Sequence, residues 1–101
     1  MEKRMLENAM QICNILKFVN EYCEIDDTTT FISNIGICAS NLMDWDLEIE
    51  INKGYEEITF KFWSPSAYLK PVKAYLDIDK VSKQYNIDKL DSYTICNKGL
   101  D

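Results

Sequence analysis

Hydrophobic residues recur at steps of three and four over the first part of the chain, which predicts a long amphipathic helix over residues 2–24. The apolar stripe consists of Met5, Ala9, Ile12, Leu16, Val19 and Cys23. Met10 and Phe18 lie on the opposite side of this helix, so we expect both to be partly exposed unless another part of the chain covers them. They are either scattered surface hydrophobes or a second contact surface, for a homodimer or another partner.

The same spacing returns over residues 28–43, where Phe31, Ile35, Cys38 and Leu42 repeat at steps of four and three. This pattern predicts a second helix, with Asp27 or one of the threonines after it as the N-cap. The acidic residues before the helix are placed favourably for its dipole. Gly36 and three consecutive threonines lower the helical propensity of this segment.

From residue 45 the period changes to two, which predicts a β-hairpin with one polar face. Apolar and polar residues alternate over residues 45–51 and again over residues 57–62. A four-residue loop, residues 53–56, keeps both apolar sets on one face and pairs Ile51 with Ile58. A two-residue loop would place Glu50 opposite Glu57, where like charges repel.

A third strand is predicted over residues 72–78, since apolar and polar residues alternate there after Pro71. Asp79 is a plausible N-cap for a short helix that ends near Asn86, and residues 87–101 fit either a short helix or a strand. The predicted fold class is therefore α+β, with two N-terminal helices, a three-stranded antiparallel meander and a short C-terminal helical segment. A length of 101 residues predicts a single domain over residues 1–101.

Composition excludes several classes of function. The chain has no His, which removes imidazole-based metal sites and Ser-His-Asp or Cys-His relays. It also has no Gly-rich phosphate loop and no carboxylate pair in apolar surroundings, so we expect no enzyme, cofactor or metal site. Its four cysteines form no CxxC pair and no apolar run is long enough for a leader or a membrane span, which favours a cytoplasmic protein with reduced thiols.

The negative charge is concentrated in the middle of the chain. The net charge is −6, and residues 26–57 carry eight acids and one base. Four of these acids occupy alternate positions of the first predicted hairpin strand, about 6.7 Å apart, so that they project from one face. We call them the acidic row: Asp44, Asp46, Glu48 and Glu50.

The acidic row has two interpretations. It is either a solvated strand face that discourages edge pairing or a surface complementary to a basic cleft that otherwise holds nucleic-acid phosphates. Glu56 and Glu57 lie on or near the adjoining turn, and Tyr55 and Trp63 are aromatic residues of the kind that often carry interface energy. These six acids and two aromatic residues are the candidate partner-binding residues.

In size, acidity and composition the chain resembles the small acidic inhibitors that phages of low-GC bacteria direct against host nucleic-acid defences, the anti-CRISPR and DNA-mimic type. Ile, Lys, Asn, Tyr and Phe make up 40 of the 101 residues and Gly, Ala, Pro and Arg only 10, as an AT-rich genome produces. The resemblance implies binding to a nuclease or CRISPR effector at its basic nucleic-acid site, in the host cytoplasm. It implies no chemistry, no direct contact with nucleic acid and no membrane.

The competing interpretation is a small DNA-binding or regulatory protein. Residues 81–88 are similar to the end of the first helix and the turn of a helix-turn-helix, with Asn86 where a Gly usually stands. The recognition helix would then be residues 88–93. Its two acids outnumber its one base, so its net negative charge would repel the DNA phosphates that the helix should approach. Because affinity for duplex DNA is carried mainly by Lys and Arg, we prefer the protein-binding interpretation.

Overall fold

The computed structural model describes residues 2–98, which form an α+β fold. Its helices are α1 (Lys3–Tyr22), α2 (Thr28–Ser40), α3 (Ile78–Val81) and α4 (Ser92–Asn97). Its strands are β1 (Cys23–Ile25), β2 (Asp46–Asn52), β3 (Glu57–Trp63) and β4 (Val72–Leu76), all paired antiparallel in the order β1–β4–β3–β2. The predicted class is confirmed, but the sheet has four strands within these residues and not three.

The strand that the sequence did not predict is β1, which lies directly between α1 and α2. Cys23, predicted as the last residue of the helical stripe, pairs with Leu76 of β4. The N–H of Asp26 extends this pairing by donating to the carbonyl of Lys73 at 3.1 Å. Three residues are too few to show an alternating pattern, and their partner lies about fifty residues away, so no local signal marks this strand.

The hairpin of β2 and β3 has the predicted register. Ile51 pairs with Ile58 and Leu47 with Phe62, across a loop of residues 53–56. The loop consists of a 3-10 turn, Lys53–Tyr55, followed by Glu56 with a positive φ of 51°. Alternation thus places the apolar side chains of both strands on one face of the sheet.

Helices α1 and α2 supply the other half of the core against this apolar face. The buried side chains of the helices include Ile12, Ile15, Phe31 and Cys38, and Phe31 meets Phe60 of β3 edge-on with 5.8 Å between ring centroids. Asp27 is the N-cap of α2, as one of the predicted alternatives had it, and accepts a hydrogen bond from the N–H of Thr30 at 3.0 Å. The helix ends at Ser40, three residues earlier than predicted.

Phe18 does not lie on an exposed side of α1, because another segment of the chain covers it, which is the exception that the prediction allowed. Its side chain is only 3% exposed. Its ring packs against Tyr22 and Tyr85, with 5.1 and 5.6 Å between centroids. Helix α4 also packs on α1, where the side-chain amide of Asn14 donates to the carbonyl of Cys96 at 2.7 Å, so α1 is covered by the C-terminal segment as well as by the sheet.

The segment after β4 differs from its prediction. Strand β4 ends at Leu76, and Asp77 instead of Asp79 caps α3, accepting a hydrogen bond from the N–H of Lys80 at 3.1 Å. Helix α3 ends at Val81, before the predicted Asn86. The predicted recognition helix over residues 88–93 is not formed, because a 3-10 turn ends at Lys89 and α4 begins only at residue 92. The prediction for residues 99–101 lies outside the described residues.

Candidate functional site

One face of the sheet carries no helix in the part of the chain that the structure describes, and we call it the open face. Both long helices pack on the other face, through the core. The open face has five carboxylates and two lysines, a net charge of −3. Its side chains are exposed or half-exposed: Glu24, Asp46, Glu48, Glu50, Asn52, Glu57, Thr59, Lys61, Trp63, Lys73 and Tyr75.

Three members of the acidic row occupy alternate positions of β2, but the carboxylate of Asp46 is turned toward the edge of the sheet, where it accepts the N–H of Leu47 and helps to raise the pKa of Cys96. Asp46, Glu48 and Glu50 are exposed at alternate positions of β2, and we call them the strand acids. Asp44 is not part of β2, contrary to the prediction. It lies in the turn before the strand, where its N–H donates to the carbonyl of Asn41 at 2.9 Å. The row on the sheet therefore has three carboxylates and not four, since the strand begins only at Asp46.

Lys61 neutralises one strand acid. It lies opposite Glu48 in the register, but its Nζ donates to Oε1 of Glu50 on the diagonal at 2.5 Å. The hydrogen bond to Glu50, together with the charges of Glu50 and Glu48, raises the pKa of Lys61. Within residues 2–98 Glu48 makes no ion pair, and Asp46 uses one carboxylate oxygen to accept the N–H of Leu47 at 2.8 Å. The row thus keeps two carboxylates without a cation.

The predicted acids of the turn separate into two environments. Glu57 is half-buried on the open face, with its carboxylate 3.9 Å from the ammonium of Lys73. Glu56 is exposed at the end of the turn, and its charge is the main cause that raises the pKa of Tyr75. Glu56 therefore adds a further exposed carboxylate at the end of the open face nearest the turn.

Aromatic rings stand at both ends of the open face. Trp63 is 52% exposed and pairs with Asp46, at the end of β2 where the strand begins. Tyr55 is 81% exposed on the hairpin turn at the opposite end. Tyr75, which the sequence did not predict as a site residue, lies between Glu24 and Glu57 on the same face. In the alternating pattern of β4, Tyr75 stands at a position that points to the polar face, and this alternation was the sequence signal that could have identified it.

The second predicted contact surface is reduced to one of its two residues. Met10 is 42% exposed, as predicted, whereas Phe18 is part of the core. Leu6, one helical turn before Met10, is 49% exposed and extends this small apolar area. A homodimer through this surface stays a prediction, and Phe18 takes no part in it.

Three of the four thiols are poorly placed for nucleophilic chemistry, and the fourth, Cys13, is exposed. All four cysteines are free, and burial raises the pKa of Cys23 and Cys96 to about 12 and that of Cys38 to about 11. These three remain protonated at neutral pH, and the thiolate is the nucleophilic form. Among residues 2–98, three or more potential metal-ligating side chains do not cluster anywhere. None of the helices described has both the length and the apolar character that a membrane span requires.

The comparisons with known proteins give no relative for this chain. No protein-family model, curated protein or solved structure matches it.

Proposed function

We propose that the protein is a non-enzymatic protein-binding module whose open face occupies the basic nucleic-acid-binding site of a nuclease or CRISPR effector and thereby inhibits it. The observation that carries the proposal is the row of strand acids on an exposed, paired strand, with only Glu50 neutralised by a lysine. On this proposal the protein acts in the cytoplasm of a host cell, as an anti-defence protein of the phage type would, and makes no contact with nucleic acid itself.

The spacing of the strand acids supports a basic partner. Alternate residues of one strand lie about 6.7 Å apart, which is about twice the roughly 3.4 Å axial spacing of phosphates on one strand of duplex DNA, so the strand acids offer a regular but sparser line of negative charge to lysines and arginines arranged for phosphates. The strand is held by seven residue pairs with β3, so the carboxylates are fixed in order before they bind. Such a preformed negative surface increases the association rate with a positive cleft, and salt weakens the attraction.

The aromatic rings supply what a row of carboxylates lacks. Surface charges alone contribute specificity and association rate more than affinity, because each must give up water on binding. Large, partly exposed side chains such as Trp63 and Tyr75 bury apolar area in an interface and often dominate its energy. The two rings flank the carboxylates on the same face of the sheet.

The test is a pull-down from host lysate with and without nuclease treatment, followed by activity and binding assays of the captured nuclease. We expect capture to survive nuclease treatment, the captured enzyme to be inhibited, and the affinity to fall steeply as salt is raised. Glu48→Lys with Glu50→Lys should weaken binding at least about tenfold, since two attractive contacts become repulsive. Unchanged binding and inhibition by this double variant would overturn the proposal.

A matched control comes from α1. Glu7→Lys with Glu21→Lys changes the net charge by the same amount on exposed residues away from the open face. Glu7 and Glu21 each lie within 4.0 Å of a lysine, so the control also removes surface ion pairs, as the test variant does at Glu50. Equal losses in the two double variants would mean that net charge, and not the open face, determines binding.

A further inference from the structure

The β2 edge of the sheet has backbone groups that no other strand uses. The carbonyl of Glu56 accepts the N–H of Leu76, so the even-numbered residues of β3 direct their backbone groups to β4 and the odd-numbered ones direct theirs to β2. In the observed register, the partners of the odd-numbered residues are the strand acids and Asn52. Leu47, Ile49 and Ile51 therefore point their N–H and C=O groups outward, along the free edge.

Helix α4 lies beside the Leu47 end of this edge but makes no backbone hydrogen bond to it. Asp46 caps the N–H of Leu47 at 2.8 Å, which agrees with the outward direction of that group. No backbone hydrogen bond between β2 and any segment other than β3 occurs within residues 2–98. The N–H and C=O groups of Ile49 and Ile51 therefore form an unused hydrogen-bonding edge of the kind that accepts an added strand.

A groove with both aliphatic and charged side chains lies beside the same edge. Ile49 and Ile51 project toward the core side and are half-buried, and Ile87 and Leu90 of the C-terminal segment line the groove with them. Lys53 and Asp88, which form an ion pair at 2.5 Å, also line the groove and contribute polar surface to it. The groove has a volume of about 290 Å³ and is open to solvent.

The two sides of the edge demand different side chains from an added strand. Successive residues of a strand point to opposite faces, so one set would lie beside the strand acids and the other beside the aliphatic side chains that line the groove. Basic residues suit the first side and residues such as Val or Ile suit the second. An alternation of basic and apolar residues is therefore the sequence that this edge selects.

A second copy of this chain does not fit the edge. Two β2 strands paired antiparallel about a twofold axis perpendicular to the sheet would bring the strand acids of both copies onto one face. Like charges directly opposite each other on neighbouring strands are destabilising. The same carboxylates that oppose self-pairing attract a basic strand, so the charge at this edge discriminates between the two occupants.

We propose that the β2 edge binds an extended segment of a partner protein by strand addition, and that this segment alternates basic with apolar residues. The added strand runs antiparallel to β2, the arrangement with the stronger ladder. The inference depends on the proposed function only in expecting a basic partner, and it adds the way in which that partner is held.

The test uses short synthetic peptides in which Lys alternates with Val, measured by fluorescence anisotropy with the intact protein. In an antiparallel ladder the residues opposite Ile49 and Ile51 exchange hydrogen bonds with them and share their face, so the Val residues make the bonds. N-methylation of the Val residues should weaken binding at least about tenfold, because each methyl group removes a donor. N-methylation of the Lys residues, whose N–H groups point away, is the matched control and should leave binding nearly unchanged.

A peptide of the same composition with Lys and Val in separate blocks provides the second control and should bind at least about tenfold more weakly. Similar affinity for this peptide, or for both methylated peptides, would overturn strand addition, since charge alone would then explain binding. Because the changes are made in the peptide, folding of the protein cannot account for the result.

The outcomes also distinguish strand addition from the proposed function. If Glu48→Lys with Glu50→Lys abolishes nuclease inhibition while N-methylation of the peptide has no effect, strand addition fails and the proposed function stands. If the peptides bind as expected but no nuclease is captured from the lysate, strand addition stands and the proposed function fails.

Discussion

The two faces of the β2–β3 hairpin come from the same fourteen residues but differ in what they do. On the inner face Leu47, Ile58 and Phe60 are at most 4% exposed and belong to the core. On the outer face the strand acids are exposed, and within residues 2–98 only Glu50 of the three forms an ion pair, with Lys61. Because side chains alternate between the two faces, one strand supplies core residues on its inner face and candidate binding residues on its outer face. Substitutions on the inner face should therefore change stability, and substitutions on the outer face should change binding.

The largest expected effect is on the inner face. Phe60→Ala removes a ring that is 0% exposed and packs against Phe31 and Phe62, and we expect the free energy of unfolding to fall by about 3–5 kcal/mol. Urea denaturation of the native protein and the variant measures this loss. Thr59→Ala, at the next position on the outer face, is the control and should cost less than about 1 kcal/mol. Similar losses for the two variants would show that the faces are not separate.

Phe18→Ala extends the comparison to α1, where the sequence predicted one covered and one exposed side. Because Phe18 is packed against Tyr22 and Tyr85, we expect a loss of about 3 kcal/mol in the free energy of unfolding. Met10→Ala, on the exposed part of the same helix, should cost less than about 1 kcal/mol. A loss for Phe18→Ala as small as that for Met10→Ala would contradict the packing described for the C-terminal segment.

A smaller effect is expected at the N-cap of α4, which covers part of α1. Asp91 accepts hydrogen bonds from the N–H and the hydroxyl of Thr94, both at 2.8 Å, and these bonds lower the pKa of Asp91. Asp91→Ala should reduce stability by about 1 kcal/mol near pH 7. Because the pKa is lowered by folding, the contribution of Asp91 is full above the usual carboxyl pKa of about 3.9 and is lost as the pH falls through the lowered value.

The measurement that checks this prediction is thermal or urea unfolding of the native protein and of the Asp91→Ala variant at several pH values from neutral to acidic. The two stability curves should approach each other at the acidic end, where the carboxyl is protonated in both folded and unfolded states, and the difference that remains is the contribution of the neutral N-cap acceptor. Asp91→Asn keeps an N-cap acceptor without the charge and should recover part of the loss at neutral pH. A constant difference at all pH values would show that the carboxylate charge plays no part in the cap.

The smallest effect on stability is expected on the outer face. Lys61→Met removes an exposed surface ion pair with Glu50, and such pairs contribute little to folding. We expect an unchanged unfolding midpoint but tighter binding of a basic partner, since all three strand acids become free. Folding raises the pKa of Lys61, so any stability from this ion pair is present below the unfolded pKa and disappears as the pH rises through the raised value. Weaker partner binding by this variant would contradict the role assigned to the strand acids.

The sequence predicted what depends on neighbours along the chain. The register of the hairpin follows from two alternating segments, a short loop and the avoidance of Glu50 opposite Glu57, all local information. Asp27 as an N-cap is local in the same way. Asp46, Glu48 and Glu50 follow from alternation, whereas Asp44 does not, because only the structure shows where the strand begins.

What the sequence missed depends on partners distant along the chain. Strand β1 exists because β4 pairs with it, and Phe18 is buried because Tyr85 reaches it from the C-terminal segment. Lys61 pairs with Glu50 and not with Glu48 opposite, since a long side chain reaches the diagonal neighbour. None of these contacts leaves a periodic signal.

The backbone conformation of Glu56 shows that the hairpin turn depends on the strands on either side of it. Among residues 2–98 it is the one non-glycine residue with a positive φ, a conformation that a side chain makes costly. A glutamate at this position therefore does not favour the backbone conformation that the turn has. Seven residue pairs on one side and the hydrogen bond from the N–H of Leu76 to the Glu56 carbonyl on the other hold the turn in place, so strand pairing offsets the cost of this backbone conformation.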